Sequence, residues 1–288
     1  VELTLAPQLT SYTDVSLTGT TADSSFVYTF RPYSQNGFGG TALSTVVTSP
    51  TPDVSYALSV YTVGKGSITV YFNSFSTSYN SFYDVSVSLT LGALTNTARV
   101  LSVPGVYNYT KTFTDLSSSL IFNSSLVPHN AIGVPGNTYV NLTNISPTSD
   151  VSLVGFDVSI GTVGVTISSA NLNYMSFYDV SIGRVSGGTV TGTLSALYNV
   201  GRYQDSSVDL SGSTAYTYLL TSYNAIGISG GTYTVGPVSP YPTVAFTSYT
   251  NITRYGLSVN YTNGNNYRVN VMRCYNAGLG GADVSLVG

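Results

Sequence analysis

The sequence has little charge and few of the residue types that carry chemistry. Only 7% of its 288 residues are charged, Trp is absent, and there are two Met, one His and one Cys. The single cysteine, Cys274, excludes a disulfide within the chain and a cysteine metal cluster, and we expect it to be a small buried thiol. No apolar run approaches the roughly 18 residues of a membrane-spanning helix, so we predict no membrane span.

The few charges also limit the classes of partner. Nine Lys and Arg residues are scattered among 12 Asp and Glu, giving a net charge of −3. A nucleic-acid surface needs clustered cations, so we predict no nucleic-acid partner. A polar surface with little net charge offers weak repulsion between copies, which favours a protein that stays associated with itself.

No constellation of residues indicates catalysis or a bound metal. A Ser-His-Asp arrangement would have to centre on His129, which follows Pro128 in a predicted turn. The sequence contains no C-x-x-C, H-x-x-x-H or D-x-D-x-D motif. Asp53 and Asp150 lie near predicted domain junctions, where we expect solvated turn residues rather than Ca²⁺ ligands. We therefore predict no catalytic residue, no metal, no cofactor and no enzymatic activity.

The residues that are abundant favour β-structure. The chain has 25 Tyr and 29 Gly, and 42% of its residues are hydrophobic. It is also rich in Val, Thr and Ser, whereas Lys and Glu, which favour helices, are scarce. Enough apolar residues are present to form a core, so we predict an ordered, all-β protein. The predicted strands include Phe26–Phe30, Phe156–Ile160, Val163–Ile167 and Phe177–Ile182.

Three stretches of the chain repeat one pattern of aromatic, Asn and Gly residues. The members of each column are separated by 94 residues, which indicates an internal repeat. The columns are Tyr28, Phe122 and Tyr216; Asn36, Asn130 and Asn224; and Gly39, Gly133 and Gly227. We expect Tyr28 and Tyr216 to bury their rings and bond a backbone group through the hydroxyl. The Asn and Gly columns are interpreted as turn residues without a further role.

Pro-bearing segments divide the chain at intervals close to this repeat. They are Ser49-Pro50-Thr-Pro52, Ser146-Pro147 and Ser239-Pro240-Tyr-Pro242. Pro cannot donate to a strand ladder, and it stiffens a linker. The predicted units are residues 1–52, the C-terminal half of a domain; 53–148 and 149–242, two complete domains; and 243–288, an N-terminal half.

The repeats resemble the fibronectin type III family. The resemblance lies in Leu210-Ser-Gly-Ser-Thr-Ala-Tyr216-Thr-Tyr218 and in the Asn-Ala-Ile-Gly that follows. The chain departs from the family in lacking Trp, in placing Gly212 where the family has Pro, and in placing Phe122 where it has Tyr. The resemblance implies tandem seven-stranded Ig/fibronectin-III-like sandwiches in a linear array.

The two predicted half-domains need strands from elsewhere, because a half-sandwich leaves strand edges and an apolar face exposed. If the units are strung in line, the ends lie about 70–100 Å apart. We therefore expect residues 243–288 to be completed by residues 1–52 of the next copy, head to tail, which propagates into a fibre. Two versions stay open: strand exchange between separate subunits, or one period of a longer polypeptide.

The predicted function is that of a structural repeat protein in an extracellular, cell-surface or virion-surface filament, with copies of itself as partners. The alternative is an adhesin that recognises glycans or a surface receptor through Tyr- and Asn-rich loops. Six Asn-x-Ser/Thr sequons would accept N-glycans on a secretory route. They are Asn108, Asn123, Asn141, Asn144, Asn251 and Asn260.

Overall fold

The computed structural model describes residues 11, 13–14, 21–186, 189–193, 197–198, 201–242, 244–253, 256–263, 271–274 and 284–287. All regular structure in these residues is β. The strands up to residue 145 are β1 (Phe26–Phe30), β2 (Leu43–Thr48), β3 (Val54–Gly64), β4 (Ser67–Ser74), β5 (Asp84–Leu91), β6 (Leu94–Leu101), β7 (Asn108–Phe113), β8 (Phe122–His129) and β9 (Tyr139–Ile145).

The remaining strands continue the same pattern of short strands and tight turns. They are β10 (Val151–Ser159), β11 (Thr162–Ser169), β12 (Asp179–Ser186), β13 (Thr189–Thr193), β14 (Leu197–Tyr198), β15 (Arg202–Asp205), β16 (Tyr216–Tyr223), β17 (Ser229–Val238), β18 (Val244–Thr253), β19 (Gly256–Asn263), β20 (Val271–Cys274) and β21 (Val284–Val287).

Strands β3–β9 form two facing sheets, which we call the first sandwich. One sheet has the order β3-β4-β7 and the other β6-β5-β8-β9. Three strands against four, with chain-adjacent strands crossing between sheets, is the Ig/fibronectin-III-like arrangement. The prediction of an all-β, fibronectin-III-like fold is confirmed by this strand order.

The core of the first sandwich follows from period-two alternation. In β4, Ile68, Val70 and Phe72 are buried while the residues between them are partly exposed. They pack against residues of the opposite sheet such as Val85 and Leu126. Burial of each such side chain contributes about 1.5–3 kcal/mol, which is why the alternation specifies the register.

Strands β10–β17 repeat this arrangement as the second sandwich. Its sheets have the orders β10-β11-β15 and β13-β12-β16-β17, with β14 also pairing with β12. The rings of Phe156 in β10 and Tyr218 in β16 lie 6.2 Å apart, which places the two sheets face to face. The sequence patterns predicted β10, β11 and β12 but missed β13, β14 and β15, which are short strands.

Three two-stranded sheets complete the described structure. β1 pairs with β2, β18 with β19, and β20 with β21, all antiparallel. β1 follows the predicted strand from Phe26 to Phe30 residue for residue.

The chain divides into two compact units. The first unit is Val1–Asp150 together with the loops Asn171–Tyr178 and Tyr223–Gly230. The second is Val151–Ala170, Asp179–Ser222 and Gly231–Gly288. Two loops of the second sandwich therefore group with the residues of the first unit, and the hydrogen bonds that hold them there form the site described next.

Candidate functional site

A polar junction is built around the side chain of Asn224. This side chain is 2% exposed. Its Nδ2 donates to the carbonyl oxygens of Ser146 and Pro147 at 3.3 and 3.2 Å. Its Oδ1 accepts the backbone N–H groups of Ile226 and Ile228 at 3.2 and 2.9 Å. One amide thus joins the turn after β16 to the linker segment that precedes β10.

The same four hydrogen bonds recur at Asn130, which is also 2% exposed. Nδ2 donates to the carbonyl oxygens of Ser49 and Pro50 at 3.3 and 3.2 Å. Oδ1 accepts the N–H groups of Ile132 and Val134 at 3.2 and 2.9 Å. An Asn side chain offers two donor hydrogens and one acceptor oxygen with two lone pairs, so both side chains are fully satisfied.

A backbone relay accompanies each asparagine. At the later junction, Ser118 donates its N–H to Met175 O at 2.9 Å, and its carbonyl accepts Ala225 N–H at 2.8 Å. At the earlier junction, Ala22 makes the corresponding bonds to Asn80 O and from Ala131 N–H, both at 2.9 Å. The segment before β8, like the segment before β1, is therefore hydrogen-bonded to two loops of the following sandwich.

The serine of each Ser-Pro linker also donates a hydrogen bond from its hydroxyl to a backbone carbonyl. Ser49 Oγ donates to Ser24 O at 2.8 Å, and Ser239 Oγ donates to Thr214 O at 2.8 Å. Ser146 Oγ donates to Ser118 O at 3.0 Å. Each of these serines precedes a proline, whose ring fixes φ. All three Ser-Pro segments are thus held by a hydrogen bond from the serine hydroxyl. Two of them are also bound by a buried asparagine side chain, an arrangement that we call the asparagine clamp.

In the structure, the first residue of each repeated column lies two positions earlier in the chain than predicted. The turn that matches Asn130 and Asn224 in hydrogen bonding starts at Ser34, whose Oγ accepts Phe38 N–H at 3.1 Å. Asn36 lies exposed within that turn. The left-handed glycine is Gly37 (φ 79°), which matches Gly133 (80°) and Gly227 (79°), whereas Gly39 has no positive φ. The predicted Asn36 and Gly39 columns are corrected to Ser34 and Gly37.

The interpretation of the Asn column also changes. The sequence suggested residues that only turn the chain, whereas Asn130 and Asn224 also bind linker carbonyls about 80 residues earlier, at separations of 81 and 78 residues. No local pattern signals a bond at that distance. The detectable signal was the recurrence of Asn-Ala-Ile-Gly together with a Ser-Pro segment one repeat before it.

Alanine is expected to be less well tolerated at Gly227 than at Gly39. Gly227→Ala places a Cβ in open space but at a φ of +79°, so its cost is backbone strain of about 1 kcal/mol. Gly39→Ala, at a backbone without positive φ, places its Cβ 3.3 Å from Cε1 of Tyr33, an exposed ring that can shift. It is therefore expected to change the free energy of unfolding by less than about 0.5 kcal/mol. Urea unfolding monitored by circular dichroism compares the two. Equal losses would contradict the assignment of Gly37, rather than Gly39, to the column.

The aromatic column occupies three different environments. Tyr216 is buried. Its hydroxyl accepts a hydrogen bond from Ser211 N–H at 2.9 Å and donates one to Asp209 O at 3.2 Å. Phe122 is buried without a hydroxyl. The hydroxyl of Tyr28 donates to the Asp14 carboxylate at 2.9 Å rather than to the backbone. By the turn alignment, Phe26 and not Tyr28 corresponds to Phe122 and Tyr216.

A buried charged cluster that no sequence pattern indicated lies in the second sandwich. Arg184 of β12 contacts Asp205 of β15 at 3.2 Å and Asp209 at 2.6 Å. The hydroxyl of Tyr218 donates to Asp205 at 3.0 Å. The hydrogen bond from Arg184 lowers the pKa of Asp209. Burial, followed by the charge of Asp205, raises the pKa of Tyr218 far above its usual value.

The structure places the other residues considered in the sequence as follows. His129 lies in β8, not in a turn, with Nδ1 3.0 Å from Asp84 Oδ1. The Asp53 carboxylate accepts hydrogen bonds from Val54 N–H and the Tyr139 hydroxyl. Asp150 pairs with Lys65 at 2.7 Å. Within the described ranges, no three His, Cys, Asp or Glu residues are grouped to hold a metal ion.

Cys274 and the sequons have the following places. Cys274 lies in β20, and its side chain is outside the described residues, as is that of Asn141 in β9. The other five sequon asparagines are exposed: Asn108, Asn123, Asn144, Asn251 and Asn260. Asn123 Oδ1 accepts Asn144 N–H at 3.1 Å. The described part of the chain has no helix long and apolar enough to span a membrane.

Comparison with known proteins finds likenesses among solved structures. No protein-family model matches the chain, and no curated protein matches it. Among solved structures, the crystal structure of chicken CNTN1 FN1-FN3 domains matches with 13% identity, over 75% of this chain and 78% of that chain, at a TM-score of 0.27. The fold class of this chain rests on its own strand order.

Proposed function

We propose that this protein is a structural component that builds an extracellular or virion-surface filament by head-to-tail continuation of fibronectin-III-like sandwiches. The observation that carries the proposal is the repeated junction. Two asparagines, two Ser-Pro linkers and two backbone relays make the same bonds with distances that agree within about 0.1 Å.

A repeated, fully hydrogen-bonded junction suits a load-bearing array rather than a flexible string of binding modules. Linkers between independently moving domains are exposed and make few contacts. Here the asparagine side chains are buried and hold backbone carbonyls, so each linker is fixed at two points. Because the junction is specified by residues within each repeat, a further repeat would carry the same hydrogen bonds.

The strands near both chain ends support continuation between copies. In this proposal, the two-stranded sheet β1–β2 supplies the last two strands of a sandwich, and the sheets β18–β19 and β20–β21 supply strands of its first half. Such a contact joins unlike surfaces, so it does not close on itself but propagates. The partner in this proposal is a further copy of the chain.

The proposal is tested by the state of the purified 288-residue chain. Light scattering across micromolar concentrations is expected to show growth with concentration, and electron microscopy to show filaments. Three sandwiches of about 35 Å each predict an axial repeat near 100 Å. Chains that stay folded monomers throughout this range would overturn head-to-tail assembly.

Exposed aromatic rings favour a second candidate function, the recognition of glycans or a surface receptor. Tyr33, Phe38 and Tyr241 are each more than half exposed. Flat, rigid rings stack on sugars and are enriched at protein interfaces. A glycan array probed with the chain tests this candidate. Binding lost in a Tyr33→Ser variant would support it, and the absence of any signal would count against glycan recognition.

A further inference from the structure

Three neighbouring core residues distinguish the two sandwiches. In the second sandwich they are the polar and charged residues Arg184, Asp205 and Tyr218, which are all buried and which we call the charged set. In the first, the equivalent residues are apolar or small. They are Leu89 for Arg184, Phe113 for Asp205 and Ser124 for Tyr218.

Hydrogen bonds and strand register establish this equivalence. Tyr83 N–H donates to His129 O, and Tyr178 N–H donates to Tyr223 O, which aligns β5 with β12 and β8 with β16. Ile68 pairs with Phe113, as Val163 pairs with Asp205. The three residues are therefore exchanged as a set, because a buried Arg requires a carboxylate partner and a buried carboxylate requires donors.

Two members of the charged set recur beside β1. Tyr28 stands nine residues before Gly37, as Tyr218 stands nine before Gly227, and both glycines have φ of 79°. The Tyr28 hydroxyl donates to Asp14 Oδ2 at 2.9 Å, as that of Tyr218 donates to Asp205 Oδ2 at 3.0 Å. Asp14 and Tyr28 thus reproduce the Asp205–Tyr218 pair.

The third member occurs in β20. Arg273 follows Tyr267 by six residues, as Arg184 follows Tyr178 and Leu89 follows Tyr83. Val269 and Val271 precede Arg273 at two-residue spacing, as Val180 and Ile182 precede Arg184. By sequence, Arg273 therefore takes the position of Arg184, in a strand that corresponds to β12.

The face of β1 that carries Tyr28 has the character of a core face. Phe30 corresponds to Leu126 and Leu220, which are 0% and 1% exposed in the two sandwiches. Phe30 itself is 49% exposed. Exposed apolar surface of this kind marks an interaction site when a complementary surface exists.

We propose that β1–β2 of one copy and β18–β21 of a second copy close a single sandwich, in which Arg273 of the second copy binds the Asp14 carboxylate beside Tyr28. This inference rests on the proposed function and identifies its partner surface. The matched set gives the contact its selectivity, since a repeat of the apolar type, such as the first sandwich, has Leu89 in place of the arginine.

Charge reversal tests the pairing. Arg273→Asp and Asp14→Arg are each expected to weaken self-association of the full chain by about 30-fold or more, measured by sedimentation velocity. An equimolar mixture of the two variants is expected to recover assembly, because each interface then pairs one Arg with one Asp. The matched control is Arg202→Asp, which changes an exposed pair with Asp157 and should leave association unchanged.

A cysteine cross-link tests the register independently. Thr90 pairs with Asn123 in the first sandwich, and the same alignment places Cys274 opposite Val27 of the neighbouring copy. A Val27→Cys chain is expected to form disulfide-linked multimers under mild oxidation, whereas Thr29→Cys, about 7 Å off register, should not.

The outcomes separate the two proposals. If the unaltered chain never associates, head-to-tail assembly fails and this inference fails with it. If the unaltered chain associates but Arg273→Asp associates equally well, or if only Thr29→Cys cross-links, the filament proposal stands and the Arg273–Asp14 contact is overturned. Circular dichroism melting confirms that each variant keeps its fold before association is compared.

Discussion

Replacing Arg184 with methionine is expected to lower the free energy of unfolding by about 3–5 kcal/mol. The change leaves the Asp205 carboxylate, which is 1% exposed, without its cationic partner, with only the hydroxyl of Tyr218 and groups of Ser207 as donors. A buried carboxylate without a counter-charge is costly because little solvent remains to stabilise it. Urea unfolding at pH 7 measures the loss.

Two controls separate charge burial from other effects. Arg202→Met removes the exposed ion pair with Asp157 and is expected to cost less than about 1 kcal/mol. The triple variant Arg184→Leu, Asp205→Phe and Tyr218→Ser installs the set found in the first sandwich and is expected to recover most of the lost stability. A triple variant as unstable as Arg184→Met would contradict the equivalence of the two core sets.

Asn224→Asp is expected to cost about 3 kcal/mol, although the two side chains have the same shape. The new carboxylate oxygen replaces Nδ2 and faces the carbonyls of Ser146 and Pro147, which then lose their donors. Each buried acceptor left without a partner costs about 1–3 kcal/mol. Denaturant unfolding measures the loss, and proteolysis of the linker around Pro147 should become faster.

The control for this prediction is Asn36→Asp, which belongs to the same sequence column but is exposed. It is expected to change stability by less than about 0.5 kcal/mol. Lowering the pH below about 4 protonates the new carboxyl of the Asn224→Asp variant, returns one donor and should recover part of its loss. Equal effects at positions 36 and 224 would contradict the clamp.

The strands were predictable where burial alternates along the chain. β1 was predicted at its observed bounds, and the Ser-Pro segments were identified as stops between units. β15 was missed because Arg202-Tyr-Gln-Asp205 mixes charge with one aromatic, and its Asp205 is buried only because Arg184 lies opposite it. A carboxylate whose partner is 21 residues away has no local signature.

The repeat was predictable as a repeat but not in its alignment at the first turn. A constant spacing of 94 residues favoured Asn36 and Gly39, whereas hydrogen bonding and positive φ select Ser34 and Gly37. Ser and Asn both place an oxygen where it accepts the turn's N–H, so the turn tolerates either residue. Residue identity in a column is therefore a weaker guide than the backbone conformation that the column must adopt.

The sequence by itself determined the all-β class, most strand positions and the repeat, because alternation and turn chemistry act between near neighbours in the chain. Only the tertiary structure decided that Asn130 and Asn224 clamp linkers and that Arg184, Asp205 and Tyr218 form one buried set. Those roles depend on which backbone carbonyls and charges lie within about 3 Å of a side chain after folding. Residues far apart in the chain supply these groups, so no local pattern encodes them.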